Sequence, residues 1–162
     1  MPFTYWNGPI VGQSVSHVWQ GYAAVLFLEF GKLGLREYSL PDGRPGQPRG
    51  ELTLTTMESG ASWKLLLQSQ EITTSDAPFR HIDRFLKRLI GRRLQTVAID
   101  AASLSTRLTF SNGLVVMTST LVEPLQPPSH WLLRLPNRGT NDWPSVVLGG
   151  TRSMRHWCNP WP

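Results

Sequence analysis

The chain carries two copies of one pattern, and this constrains its fold more than any other feature. Gly12-x-x-Val15-x-x-Val18 followed by Leu28-x-Phe30 returns as Gly91-x-x-Leu94-x-x-Val97 followed by Leu108-x-Phe110, displaced by 79 residues and drifting to 80. Each copy runs on to a strand-like segment led by tryptophan. In the first, Gly50-Glu51-Leu52-Thr53-Leu54 precedes Trp63-Lys64-Leu65-Leu66-Leu67; in the second, Gly113-Leu114-Val115-Val116-Met117 precedes Trp131-Leu132-Leu133-Arg134-Leu135. A unit that cannot bury its apolar face alone is commonly one half of a shared core. With 162 residues, 40% of them hydrophobic, the chain suits one globular domain and is short for two. The expected organisation is a single domain, 1–162, with repeats over 10–74 and 89–150 and an irregular tail over 151–162.

The period inside each copy is two. Leu26, Leu28 and Phe30 alternate with Val25, Phe27 and Glu29, and Leu108-x-Phe110 and Val115-x-Met117 flank Ser111-Asn112-Gly113. Asn-Gly between alternating segments predicts a hairpin, because its turn needs residues that accept positive φ. Strands near 103–110 and 113–120 should therefore pair. In the first copy the same junction is stretched across Gly31–Arg49, whose Pro41-Asp42-Gly43-Arg44-Pro45-Gly46-Gln47-Pro48-Arg49 run reads as a mobile loop on an elongated hairpin arm.

One segment follows a different period. Phe79, Ile82, Phe85, Leu86, Leu89 and Ile90 recur at helical spacing, predicting a connecting α-helix over about 77–90 with these six on its buried face. Asp76 is the expected N-cap, Pro78 suits the first turn and Gly91 the exit. The fold class expected is α+β, mainly β: two pseudo-symmetric antiparallel meander halves forming a sandwich or an open barrel, with this helix between them.

The other face of that helix holds the main charge cluster. Arg80, Arg84, Lys87, Arg88, Arg92 and Arg93 are six of the 16 basic residues, in a chain of net charge +5. Such a stripe either attracts a negative partner or is a solvated face whose late cations complement the helix dipole. Arg80, Arg84 and Arg88 repel one another at four-residue spacing, which hints that something negative sits there. Because Phe79 and Phe85 are assigned to the buried side, the stripe lacks the aromatic interleaving used in base stacking. Trp63 and Trp131, at matching places in the two copies, read as core. Trp157 and Trp161 in the tail are candidate contact residues if the tail is not packed down.

Catalytic and metal-binding patterns are thin. His17, His81, His130 and His156 share no ligand spacing, and no nucleophile elbow, phosphate loop or dinucleotide fingerprint occurs. No cofactor, metal or catalytic residue is expected. Cys158 is the one cysteine, so a disulfide within the chain is excluded and a reducing compartment fits. The apolar run from Ala23 to Leu28 falls far short of the roughly 20 residues of a membrane span. Residues 1–6 lack the marks of a signal peptide, so a cytoplasmic location is expected.

The stretch from Leu89-Ile90-Gly91-Arg92-Arg93-Leu94 through Leu108-Thr109-Phe110-Ser111-Asn112-Gly113 to Trp131-Leu132-Leu133-Arg134-Leu135-Pro136, with Gly149-Gly150 before Trp157, resembles a family of small, uncharacterised bacterial proteins. These share a G-x-x-V-x-x-V, L-x-F-x-D-G and W-x-L pattern, and a role as immunity proteins in polymorphic or contact-dependent toxin systems is proposed for them. Asn112 departs from the pattern's acidic turn residue, and Ser129-His130 from the acidic pair ahead of the tryptophan. The resemblance covers the later half well and the first copy in outline, and it implies no catalytic residues. It implies a non-enzymatic protein-binding function, that of an inhibitor of a cognate toxin or of a binder of another acidic protein. The alternative is a nucleic-acid-binding module using the basic helix face over 80–93. The oligomeric state is left open, a homodimer included. In topology the paired repeats are also similar to the N-terminal β-sandwich of formamidopyrimidine-type DNA glycosylases, but Pro2 is followed by Phe3 where those enzymes carry Glu.

Overall fold

The computed structural model describes residues 3–21, 25–34, 43, 46–56, 61–100, 105–120, 131–134 and 145–148. Among them the elements are β1 (Phe3–Trp6), β2 (Val15–Gln20), β3 (Leu26–Phe30), β4 (Leu52–Thr56), β5 (Ala61–Leu67), β6 (Gln70–Thr74), α1 (Phe79–Leu86), β7 (Leu94–Asp100), β8 (Thr106–Phe110), β9 (Leu114–Thr120), β10 (Trp131–Arg134) and β11 (Ser145–Leu148). The fold is mainly β with one short helix. One sheet has the order β1-β7-β8-β9-β5-β6 and the other β11-β10-β4-β3-β2, with antiparallel neighbours throughout.

Neither sheet belongs to one half of the chain. β2-β3-β4 form a meander and β5-β6 a hairpin, but the hairpin pairs with β9; β7-β8-β9 form the matching meander, and their following hairpin, β10-β11, pairs with β4. Each half thus lends its last hairpin to the other's sheet. The exchanged strands sit in the same register, since Trp63 stands opposite Thr118 and Trp131 opposite Thr56.

The correspondence extends to backbone detail. Register shifts fall between Val15 and His17 in β2-β3, and between Leu94 and Thr96 in β7-β8. The two residues between the motif's aliphatic positions therefore include a β-bulge, which lets Val15 and Val18, and likewise Leu94 and Val97, all point inward despite their odd spacing. Leu26 N–H donates to Thr56 Oγ1 at 2.9 Å, and Thr106 N–H donates to Thr118 Oγ1 at 3.2 Å. At the centre Ser14 and Arg93 form a bridge. Around it Gly12 N–H donates to Leu94 O (2.8 Å) and Gly91 N–H to Val15 O (2.7 Å), while Val15 N–H donates to Arg92 O and Leu94 N–H to Gln13 O, both at 2.9 Å. These reciprocal bonds follow a local two-fold relation. Gly12 and Gly91, at φ +89° and +80°, occupy the left-handed region that the turn into each bulged strand requires.

One core lies between the sheets. Val15, Leu28, Phe30 and Leu54 from the first meander meet Leu94, Leu108, Phe110 and Val116 from the second, with Trp63, Leu65 and Leu133 from the exchanged hairpins. Trp63 is buried, as its position in the first copy predicts; the side chain of Trp131 lies outside the described residues. The expected 103–110 and 113–120 pairing is met by β8 and β9, joined by three residues, with Asn112 and Gly113 at φ +65° and +76°.

The connecting helix is shorter than the expected 77–90. It ends at Leu86 and passes into a 3-10 turn, Lys87–Leu89, before Ile90 becomes extended. Ile82, Leu86 and Leu89 are buried, each worth about 1.5–3 kcal/mol of gross transfer free energy, and Phe85 packs partly against the core. Phe79 and Ile90 are exposed, contrary to the six-residue buried face, because Phe79 is the first helical residue and Ile90 has already left the helix. The N-cap is Pro78, with no side-chain capping bond, so Asp76 does not take that role. In the β3-β4 insert, 35–42 and 44–45 lie outside the described residues. The mobile loop expected across Pro41–Arg49 falls partly outside the described residues; at its returning end, 46–50, Gly46 is buried, and Gln47 and Gly50 hydrogen-bond to β2 and β3.

Candidate interaction surface on the connecting helix

α1 is held by its Ile82 and Leu86 side, so its remaining surface turns outward. Arg80, Arg84, Lys87 and Arg88 are all exposed, as the charge pattern predicts. Their surroundings differ. Lys87 Nζ lies 2.7 Å from Asp83 Oδ2, an i,i+4 pair that neutralises this cation locally. Arg84 and Arg88 instead flank one ring, with guanidinium carbons 5.8 and 4.9 Å from the Phe85 centroid. His81 packs on the same ring at 4.6 Å, and its Nδ1 is hydrogen-bonded with Thr73 Oγ1 of β6 at 3.0 Å. The ring is thereby fixed to the sheet, and two guanidinium groups are ordered on it by cation–π attraction.

Arg92 and Arg93 belong elsewhere. Both sit at the crossing of the two motifs: Arg92 O accepts from Val15 N–H, and Arg93 N–H donates to Ser111 Oγ at 3.0 Å. Arg92 Nε reaches back to Arg88 O at 3.4 Å. Their backbones serve the core first. The structure therefore separates the six-residue stripe into a compact set, Arg80, Arg84 and Arg88, one paired lysine, and two arginines at the crossing. Trp157 and Trp161 lie outside the described residues.

Phe79 is the residue that periodicity misplaces. It is 66% exposed beside Arg80, where an apolar ring gains nothing from the core. Its place at the start of the helix, just after Pro78, was the available signal, since a first-turn residue can stand beyond the edge of the layer the helix covers. Among the described residues no three His, Cys, Asp or Glu side chains gather as a metal ion would require, and no helix is long and apolar enough to cross a membrane. No family model, curated protein or solved structure matches the chain.

Proposed function

We propose that the chain is a non-enzymatic binding protein that docks an acidic protein partner on the outer face of α1. Within that reading it is an immunity or antitoxin-like inhibitor of a cognate bacterial toxin, acting in the cytoplasm. The observation that carries the docking surface is the pair of exposed guanidinium groups, Arg84 and Arg88, held on the Phe85 ring, with Arg80 exposed one turn before them. Aromatic residues and arginine are enriched at protein interfaces, where the ring supplies burial and the arginines supply steering and orientation. The net charge of +5 bears on the partner. A plug for the phosphate cleft of a nuclease gains from being acidic, so this chain binds a toxin with an acidic face or attaches away from its active site.

The exposed cations of this face also favour a second reading, nucleic-acid binding, because guanidinium groups contact phosphates. The protein reading is preferred because the ring that lies among the arginines, Phe85, is already covered by Arg84, Arg88 and His81 and offers no open face to a base. The test is a salt titration with poly-glutamate, a random DNA duplex and a single strand, on the natural protein and on the triple variant Arg80→Glu, Arg84→Glu, Arg88→Glu. The protein reading predicts binding to poly-glutamate that the triple variant loses, and weak DNA binding without length dependence. Binding of DNA at about micromolar or tighter at physiological salt, with a log–log salt slope falling by about 0.7–0.9 per removed charge, would replace it with the second reading.

A further inference from the structure

β3 points Leu26, Leu28 and Phe30 into the core, so Phe27 and Glu29 stand on the opposite face of the five-stranded sheet. There the ladders set out two rows, His17-Glu29-Thr53 and Trp19-Phe27-Thr55. Glu29 is nevertheless 0% exposed. The limb 46–50 lies against this face: Gln47 Oε1 is 2.9 Å from His17 Nε2, and Gly50 N–H donates to Glu29 Oε2 at 3.0 Å. The Thr53 hydroxyl donates to the same Oε2. Glu29 Oε1 and the Trp19 indole nitrogen are both buried and have no hydrogen-bond partner.

A buried carboxylate oxygen without a donor costs stability, so its presence asks for a reason. The fold does not supply one, because the matching row in the other sheet is Thr96-Thr109-Val115. Anchoring the limb does not supply one either, since that uses Oε2 alone. The row next to that of Glu29 has features that suit a cation. Trp19 and Phe27 are stacked at 3.9 Å and 3°, and Arg49 already holds its guanidinium 5.8 Å above Phe27. The Trp19 row lies two register steps, about 7 Å along the strand, from the Glu29 row, and the unpaired Trp19 N–H calls for an acceptor such as a carbonyl.

We propose that this face is a binding site for a guanidinium or ammonium group carried on a short chain that also bears a carbonyl. Glu29 is the counter-charge, Trp19 the donor to the carbonyl, and the site opens when the limb 46–50 lifts. The site is independent of the α1 surface. An arginine or lysine residue of a protein, with its peptide carbonyls, carries both groups.

The test follows the Trp19 indole N–H resonance of the full chain, assigned by its loss in Trp19→Phe, during titration with methylguanidine, its neutral isostere methylurea, and N-acetyl-arginine amide. The expected result is a saturable shift with the cations and none with methylurea, weakened about tenfold or more in Glu29→Gln. Tighter saturation by N-acetyl-arginine amide than by methylguanidine, which lacks a carbonyl, supports the carbonyl contact to Trp19; equal affinity of the two overturns that contact. Equal responses to methylguanidine and methylurea, no saturable response to any cation at millimolar concentration, or unchanged affinity in Glu29→Gln overturns the proposal. Should Glu29→Gln fail to fold, the comparison of cation with isostere on the natural protein decides alone.

Discussion

The two meanders, β2-β3-β4 and β7-β8-β9, agree on one face and differ on the other. Inward, Val15, Val18, Leu28, Phe30 and Leu54 correspond to Leu94, Val97, Leu108, Phe110 and Val116, and the bulges and the Thr56 and Thr118 hydroxyl bonds correspond as well. Outward, His17-Glu29-Thr53 and Trp19-Phe27-Thr55 stand where the other sheet has Thr96-Thr109-Val115 and Ala98-Arg107-Met117. The difference is instructive because packing density constrains one face only. A core tolerates only small changes of volume, so positions that share it stay alike, while positions turned away from it are free to take up separate chemistry. The joints differ in the same sense, with three residues between β8 and β9 and a long insert between β3 and β4.

The comparison is most severely strained by removing the matched tryptophans. Trp63→Ala should cost about 3–5 kcal/mol in denaturant unfolding, and Trp131→Ala, at the same register in the other sheet, should cost the same within about 1 kcal/mol. A small loss for one and a large loss for the other would show that the two exchanged hairpins are not equivalent supports. A finer comparison uses the hydroxyls. Thr56→Val strands the buried amide of Leu26, and Thr118→Val that of Thr106, so each should cost about 1–3 kcal/mol. Equal values sharpen the two-fold relation; a neutral Thr118→Val would confine this support to the first meander.

Much of this was legible in the sequence, for identifiable reasons. Gly12 and Gly91 mark the same positive-φ turns, and the aliphatic spacing around Val15 and Leu94 records an inward face carried across a bulge. Asn112-Gly113 named its own hairpin. What local pattern could not show was the exchange of hairpins, because the pairings of β5 with β9 and β10 with β4 depend on contacts between the halves. Helical periodicity placed Phe79 and Ile90 on the buried side, since spacing carries no information on where the covered layer ends. Strand alternation set Glu29 on the face opposite Leu28 and Phe30, but did not show that residues 46–50 would return over it. The basic stripe was found in full, though its division at Lys87 and at Arg92 arises from Asp83 and from the crossing with Ser14.

The central claim is that the halves form one cooperative unit, because each sheet contains strands of both. Native-state amide hydrogen exchange tests it most directly, read at Gly12, Val15, Gly91 and Leu94, which bond reciprocally across the centre, and along β3 and β8. The account predicts that these amides exchange with one common free energy, equal to that of global unfolding. Protection of β7-β8-β9 that persists while β2-β3-β4 exchanges through a cheaper opening, or the reverse, would contradict it.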